Sequence, residues 1–373
     1  YRPSRHTSVV FIANEGYNSN HNMEDPIEIK YWLEDPKSEA AINECKRVAR
    51  ILEKTSCLLI RDPRVSEADN NTFLDTLEKY FEQPFDTKMV DARPDSHYQV
   101  GVTPEGVEFP RCAVDPTCQE FVAELNKNPA NAAHLPTKPD AKWRFFHRMG
   151  PRPAETKFAE LNAEPVSPAA MPEFLPVMDT WGSKLLGTAF TIAEMSAVGF
   201  GLESDAFTRL MKFGPHLLAP TASDLKKHNT LDVILAGFHR DLNFVTFHGK
   251  SRFPGLDIWL RDGTKFPVSV PDGCILAQAG MEMEHLTGGR VLAGWHEVLV
   301  NEKTLAAIQR ATDAGRSLWR ISSTLFSHIE SDAEMRPLVG TEEEKAAALA
   351  KYPATLAGVH VENELKAINL KQK

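Results

Sequence analysis

From Thr230 to His328 the chain is cut into short apolar runs: "TLDVILAGFH", "FVTFHG", "LDIWLRDGTKFPVSV", "CILAQAGMEMEHLTGGRVLAGWHEVLV" and "LWRISSTLFSH". Asp-Gly, Pro-Asp-Gly and Gly-Gly turn residues bound them. Residues alternate with a period of two, or the runs are too short to show a helical period, so each run reads as one or more strands. Several short strands at this spacing predict an antiparallel sandwich or barrel.

Upstream the signals are helical. In "EAAINECKRVARILEKTS" the residues Ala40, Ile42, Cys45, Val48, Ile51 and Leu52 recur at helical intervals, and "CLLIRDP" follows as a short strand stopped by Asp62-Pro63. "NNTFLDTLEKYFEQPF" predicts a second amphipathic helix with Phe73, Leu74, Leu77, Tyr80 and Phe81 on one face. From about Thr87 to Pro172 the chain is rich in Pro, Asp and Asn, which predicts long loops and short strands of the kind that cover a pocket. "PEFLPVMDTWGSKLLGTAFTIAEMSAVGFG" restores the helical period and stops at Gly199 and Gly201. A tail helix, "TEEEKAAALAKY", opens with a capping box at Thr341.

Composition sets the outer limits. With 373 residues, 42% of them hydrophobic and 25% charged, the chain has enough apolar side chains for a packed core. A net charge of -9 and no basic stripe argue against a nucleic-acid partner. No run approaches a membrane span and no secretory apolar segment opens the sequence. Five cysteines without a CxxC pair fit reduced thiols better than a disulfide framework, with Cys57 and Cys274 in apolar runs as core residues. Cytoplasmic localisation is the expectation, with a targeting segment before Tyr1 left open.

The chemistry centres on "AGFHRDLNFVTFHG". His239 and Asp241 stand at i and i+2, on the same face of an extended segment, where imidazole and carboxylate can share one ion. The pattern alone is weak, since 13 His and 51 acidic residues give roughly two His-x-acid triplets by chance. Three occur, at His239, His328 and His360, and only the first has further strands downstream to bring in a third ligand. That ligand is His296 in "LAGWHEVLV". Two His and one carboxylate leave open positions, which suits non-haem Fe(II) and oxygen chemistry. Zinc hydrolases also use three protein ligands, and spacing does not separate the two. In "LWRISSTLF", Arg320 and Ser322 also stand at i and i+2, offering a guanidinium fork and a hydroxyl to a carboxylate. A guanidinium aimed into a barrel needs an anion, so a small dicarboxylate or keto acid is the implied ligand.

Taken together, "FHRDLNFVTFHG", "PGLDIWLRDGTKFPVSVPDG", "QAGMEMEHLTGGRVLAGWHEV" and "RISSTLF" resemble the Fe(II)- and 2-oxoglutarate-dependent oxygenases of the isopenicillin N synthase-like group. Upstream, "CLLIRDPRVSEADNNTFLDTLEKYFEQPFDTK" looks like that family's N-terminal helix-strand-helix region, so the resemblance runs over roughly residues 40 to 330. It implies a mainly β fold with flanking helices: a double-stranded β-helix (jelly roll, cupin-like) core with an N-terminal α/β region. One integrated domain is expected, with a pocket-covering region at 1–173, a helix plus jelly-roll core at 174–335 and a helical tail at 336–373. The resemblance implies Fe(II) held by His239, Asp241 and His296, with Arg320 and Ser322 on the distal carboxylate of 2-oxoglutarate. It further implies that O2 and 2-oxoglutarate are consumed, succinate is formed and a small-molecule C–H bond is hydroxylated, desaturated or closed into a ring.

The chain also departs from the family pattern. Gly280-Met281-Glu282 stands where an aspartate usually follows the Gly, and "NEKTLAAIQRATDAGRSL" lengthens the interval before Arg320, predicting a short helix with Arg310 and Arg316 as rival anchors. The second contact to the keto acid is unassigned. Trp295 and Phe326 read as packing residues, and His216, His228, His248 and His285 as structural or surface residues. Two other readings stay open: an iron oxidase that needs no keto acid, and a catalytically silent binding barrel. A monomer is expected. The substrate is unassigned, although Tyr98, Arg111, Trp143, Arg144, Phe145 and Arg148 in the covering loops lean toward one with apolar and acidic parts.

Overall fold

The computed structural model describes residues 24–367. Along the chain the strands are β1 (Ile27–Glu28), β2 (Cys57–Arg61), β3 (Gly101–Thr103), β4 (Trp143–Arg148), β5 (Leu217–Leu218), β6 (Thr221–Asp224) and β7 (Ile234–Arg240). They continue as β8 (Val245–His248), β9 (Leu256–Trp259), β10 (Lys265–Pro267), β11 (Ile275–Ala279), β12 (Trp295–Leu299), β13 (Trp319–Ile321) and β14 (Thr324–Ser327). The larger sheet runs β1-β2-β11-β8-β14-β5-β4-β6-β13, with β3 beside β4, and the smaller runs β10-β9-β12-β7. Except for β1 on β2, the pairs within these two sheets are antiparallel. This is the jelly-roll core with flanking helices that the turn pattern and the family resemblance predicted.

The N-terminal segment is part of the core sheet, because β2 pairs with β11 along Ile60–Ile275 to Cys57–Gln278. Helix Glu39–Thr55 sets β2 in place. Ser38 caps its first turn through the Ala41 N–H, Ser56 ends it in the left-handed region at φ +62°, and Ala41, Cys45, Val48 and Leu52 are buried. It packs on helix Phe174–Gly199, whose last residue comes so close that a Cβ at Gly199 would lie 2.2 Å from the Cys45 carbonyl oxygen. Helices Glu67–Glu82, Phe174–Gly199, Glu302–Asp313 and Glu342–Ala348 all lie where the periodicity predicted them, the last with its Thr341 capping box.

The structure departs from the sequence reading in three places. "LWRISSTLF" is two strands rather than one. The Ser322 hydroxyl and backbone bind Thr221 on both sides of a corner, so β13 pairs with β6 while β14 crosses to β8 and β5. The long run "CILAQAGMEMEHLTGGRVLAGWHEVLV" is broken by helix Met281–Leu286. Gly280 packs there against Asn243 with no room for a Cβ, and buried Glu282 accepts the Ile329 N–H. The reduced-thiol expectation is corrected: Cys112 and Cys118 form a disulfide. The single turn Arg111–Ala113 followed by helix Pro116–Leu125, which the Pro-rich composition hid, brings their Cα atoms to 5.2 Å. Cys45, Cys57 and Cys274 are free and buried, the last two as core residues as expected.

Among the described residues no helix is long and apolar enough to cross a membrane.

Candidate metal centre

β7 and β12 are neighbours in the smaller sheet, and their register sets His296 directly opposite His239. Asp241 follows the end of β7, so the i, i+2 spacing presents His239 and Asp241 to one side of the sheet. One ligand atom from each of His239, Asp241 and His296 lies within 4.8 Å of the other two. His239 Nε2 is 3.4 Å and His296 Nε2 is 3.7 Å from Asp241 Oδ1, and the imidazole centroids are 4.2 Å apart.

The surroundings fix which atoms face the centre. His239 Nδ1 donates to the Gly237 carbonyl at 2.6 Å and His296 Nδ1 to the Gly294 carbonyl at 3.4 Å, leaving both Nε2 lone pairs free. The Thr246 hydroxyl donates to Asp241 Oδ2 at 2.6 Å, leaving Oδ1 as the ligand oxygen. Burial alone would raise the Asp241 pKa, but His296, His239 and Thr246 outweigh it and hold the carboxyl well below the usual carboxylate range. Burial, with His239 adding to it, pushes His296 down to about 3, so it is a neutral imidazole. Burial alone would lower the His239 pKa, but the Asp241 carboxylate outweighs it and raises it, so a cation binding here displaces the proton shared by that pair. With that proton gone, two imidazole nitrogens and one ionised oxygen on one side of a point form a donor set for a divalent first-row metal.

These residues open into a cavity of about 1370 Å³. Arg320 and Ser322 line the same cavity, as the strand pattern predicted, although Ser322 sits just beyond β13. Arg320 is buried, at 6% exposure, and its Nε donates to the Pro254 carbonyl at 3.2 Å. No acid pairs with it among the described residues: burial is the sole cause that pushes its pKa down, to about 10. Ser322 Oγ accepts the Thr221 N–H at 2.8 Å and the Thr221 hydroxyl at 3.0 Å, so its own proton is left to donate. Arg310 and Arg316 are exposed and are not rivals for this role.

Other residues singled out from the sequence fall as follows. His216 is a buried structural residue whose Nε2 donates to the Met211 carbonyl, and His228 is held by Glu105. Trp295 stacks on Phe238 at 4.7 Å while lining the cavity, and Phe326 also lines it. Arg111 pairs with Asp115 and Glu364. The remaining His-x-acid histidines have other partners: His328, in the lining of the same cavity, pairs with Glu282, and His360 binds the Leu242 carbonyl.

Sequence reasoning set His248 aside as structural, but it stands on the cavity wall, its ring centroid 6.4 Å from that of His296. Its Nδ1 faces the Thr324 hydroxyl at 3.3 Å, and its buried Nε2 has no partner. A signal was available: His248 is two residues along β8 from Thr246, whose hydroxyl holds Asp241, and so shares its face. The acidic and basic cluster of Glu108, Asp140, Lys142 and Arg144, from the loop-rich region, was also missed as a unit.

No protein-family model and no curated protein matches the chain. Solved structures do. A protein from Caulobacter crescentus described as a candidate 2OG-Fe(II) oxygenase superposes with a TM-score of 0.68 at 22% identity, over 92% of this chain and 98% of its own. Neurospora crassa T7H, crystallised with alpha-KG and thymine, gives a TM-score of 0.70 at 16% identity, over 96% and 99% of the two chains. The rice dioxygenase for auxin oxidation gives 0.57 at 14% identity, over 92% and 95%. The fold is therefore that of the 2OG-Fe(II) oxygenases, and it is shared over nearly the whole length of this chain.

Proposed function

We propose that this chain is an Fe(II)- and 2-oxoglutarate-dependent oxygenase that oxidises a small molecule, by hydroxylation or by desaturation or cyclisation. The observation that carries the reading is the pairing of two features in one cavity: a His-Asp-His donor set and a buried guanidinium without a counter-ion. A cation of that kind is costly unless an anionic ligand meets it, which favours a keto-acid enzyme over an oxidase that needs none. The neighbouring folds support the reading, since T7H is crystallised with alpha-KG and JOX2 with 2OG, Fe and JA.

His239 Nε2, His296 Nε2 and Asp241 Oδ1 would hold a ferrous ion, which would supply the redox chemistry that activates O2. Every other role belongs to the protein. The Gly237 and Gly294 carbonyls and the Thr246 hydroxyl keep the three ligands in the binding tautomer and rotamer. Arg320 offers its two terminal nitrogens, and Ser322 its proton, to the distal carboxylate of 2-oxoglutarate. His248, kept neutral because burial pushes it down to about 4, supplies an N–H for the other end of the keto acid. The cavity walls hold the substrate against the centre and exclude water.

The test is consumption of 2-oxoglutarate with release of succinate, dependent on Fe(II) and O2, in the wild-type protein and in His296→Ala. Succinate from the first and none from the second is expected. Fe(II)-independent turnover, or hydrolysis of an ester or amide with zinc, contradicts the reading.

A further inference from the structure

We propose that the substrate of this cavity is uncharged and carries a carbonyl oxygen, and that Arg144 donates a hydrogen bond to that oxygen. The inference rests on the oxygenase reading above and specifies the substrate class for the same cavity.

Arg144 lies on β4 at 6% exposure and lines the cavity. Its Nη1 is 3.2 Å from Glu108 Oε2, its Nε donates to the Thr103 hydroxyl at 3.4 Å, and its guanidinium carbon sits 3.9 Å over the Phe146 ring. Its Nη2 is buried with no partner. An unused buried guanidinium N–H costs free energy comparable to a lost hydrogen bond, unless a ligand or a water takes it.

Sheet register places this donor. Arg144 pairs with Thr221 on β6, and Thr221 binds Ser322 on the other side, so the three form one row across the sheet. Arg144 therefore shares a wall with the keto-acid anchor and is separated from it by one strand. Beside it, Asp140 Oδ1 accepts the Gly237 N–H at 2.9 Å, two residues before His239, which links the cluster to the metal side of the cavity.

Charge decides the class of acceptor. Lys142 Nζ is 2.6 Å from Asp140 and 3.7 Å from Glu108, and Glu108 also holds Arg144, so two acids and two bases cancel locally. Arg320 has no such acid. A carboxylate is thus matched at Arg320, whereas at Arg144 it would bring excess negative charge next to Glu108. A neutral carbonyl uses the free N–H without that cost. Phe146, Leu217, Ala219 and Phe326 form an apolar cluster on the same wall for the body of the molecule. This replaces the expectation of an acidic group on the substrate. Of the basic residues behind that expectation, Arg111 is paired with acids and Arg148 donates to the Met149 and Pro151 carbonyls.

The test is calorimetric titration of the protein loaded with Mn(II) and 2-oxoglutarate, using benzamide, 2-pyridone and δ-valerolactam as neutral probes and benzoate as the charged counterpart of benzamide. At least one neutral probe is expected to bind, and benzamide about 10-fold or more tighter than benzoate. Arg144→Met and Arg144→Lys should each weaken the best neutral probe by about 10-fold while leaving 2-oxoglutarate affinity within about twofold. The lysine variant keeps the Glu108 ion pair, so it controls for a folding defect in the methionine variant. Tighter binding of benzoate, binding unchanged in both variants, or no binding of any neutral probe to protein that does bind 2-oxoglutarate overturns the proposal. Failure to bind 2-oxoglutarate itself instead contradicts the oxygenase reading.

Discussion

An unpaired buried cation should make the ligand-free fold less stable than a neutral isostere would. Burial alone pushes the Arg320 pKa down to about 10, well below the usual guanidinium range, which corresponds to about 3 kcal/mol of cost for keeping the guanidinium charged. Arg320→Met removes that cost, keeps most of the stem volume and gives up the Nε bond to the Pro254 carbonyl, worth about 1 kcal/mol. The variant should therefore be more stable than wild type by about 2 kcal/mol in the absence of ligands. For a chain of this length that is a rise in Tm of roughly 2–3 °C. Excess 2-oxoglutarate with Mn(II) should reverse the order. At about 100 times its Kd a ligand adds about 2.7 kcal/mol to the protein that binds it, and the variant lacks the anchor. Differential scanning calorimetry at pH 7, with and without ligands, reads both steps. A ligand-free variant that melts several degrees below wild type would mean that Arg320 is a structural cation, and would refute the argument that it awaits an anion.

Further outcomes follow from the same contacts. Thr246→Val removes the hydroxyl that holds Asp241 Oδ2 and should weaken Fe(II) binding about 10-fold or more with little change in fold, read by metal titration. His248→Phe should leave Fe(II) affinity intact and weaken 2-oxoglutarate by about 10-fold. His216 is held near a pKa of about 3 by burial, reinforced by Arg148 and His328, below its unfolded value of about 6.5. The unfolded chain takes up the proton first, so stability is present above pH 6.5 and lost as pH falls toward 3. His216→Gln should remove about 2 kcal/mol of the decline between pH 6.5 and 5, measured by urea unfolding. Gly199→Ala forces a Cβ to within 2.2 Å of the Cys45 carbonyl oxygen and should lower stability by about 2 kcal/mol or more.

What was legible in the sequence was what depends on local spacing. The turn residues delimited the strands, and i, i+2 pairs put His239 with Asp241 and Arg320 near Ser322 because strand periodicity carries that information directly. The pairing of His296 with His239 depends on a register between strands far apart in sequence; the alternating segment downstream made His296 the candidate third ligand, and the family resemblance implied the same set. The Cys112–Cys118 bridge was hidden by Pro-rich composition, since only the turn Arg111–Ala113 shows that the chain doubles back there. The corner at Ser322 was missed because its cause is a bond to Thr221, about a hundred residues away. Arg144 as a separate loop residue pointed to an acidic group on the substrate, and Glu108 was not singled out. Their meaning is a charge balance that exists only once β4 joins the sheet.

The most direct test of the central claim is an anaerobic titration of the Fe(II)-loaded protein with 2-oxoglutarate, followed by visible absorption. A weak charge-transfer band is expected that saturates with one equivalent bound in wild type and is shifted to much higher concentration in Arg320→Met. Absence of the band in wild-type protein that has bound Fe(II), or the same titration curve in the variant, would contradict it.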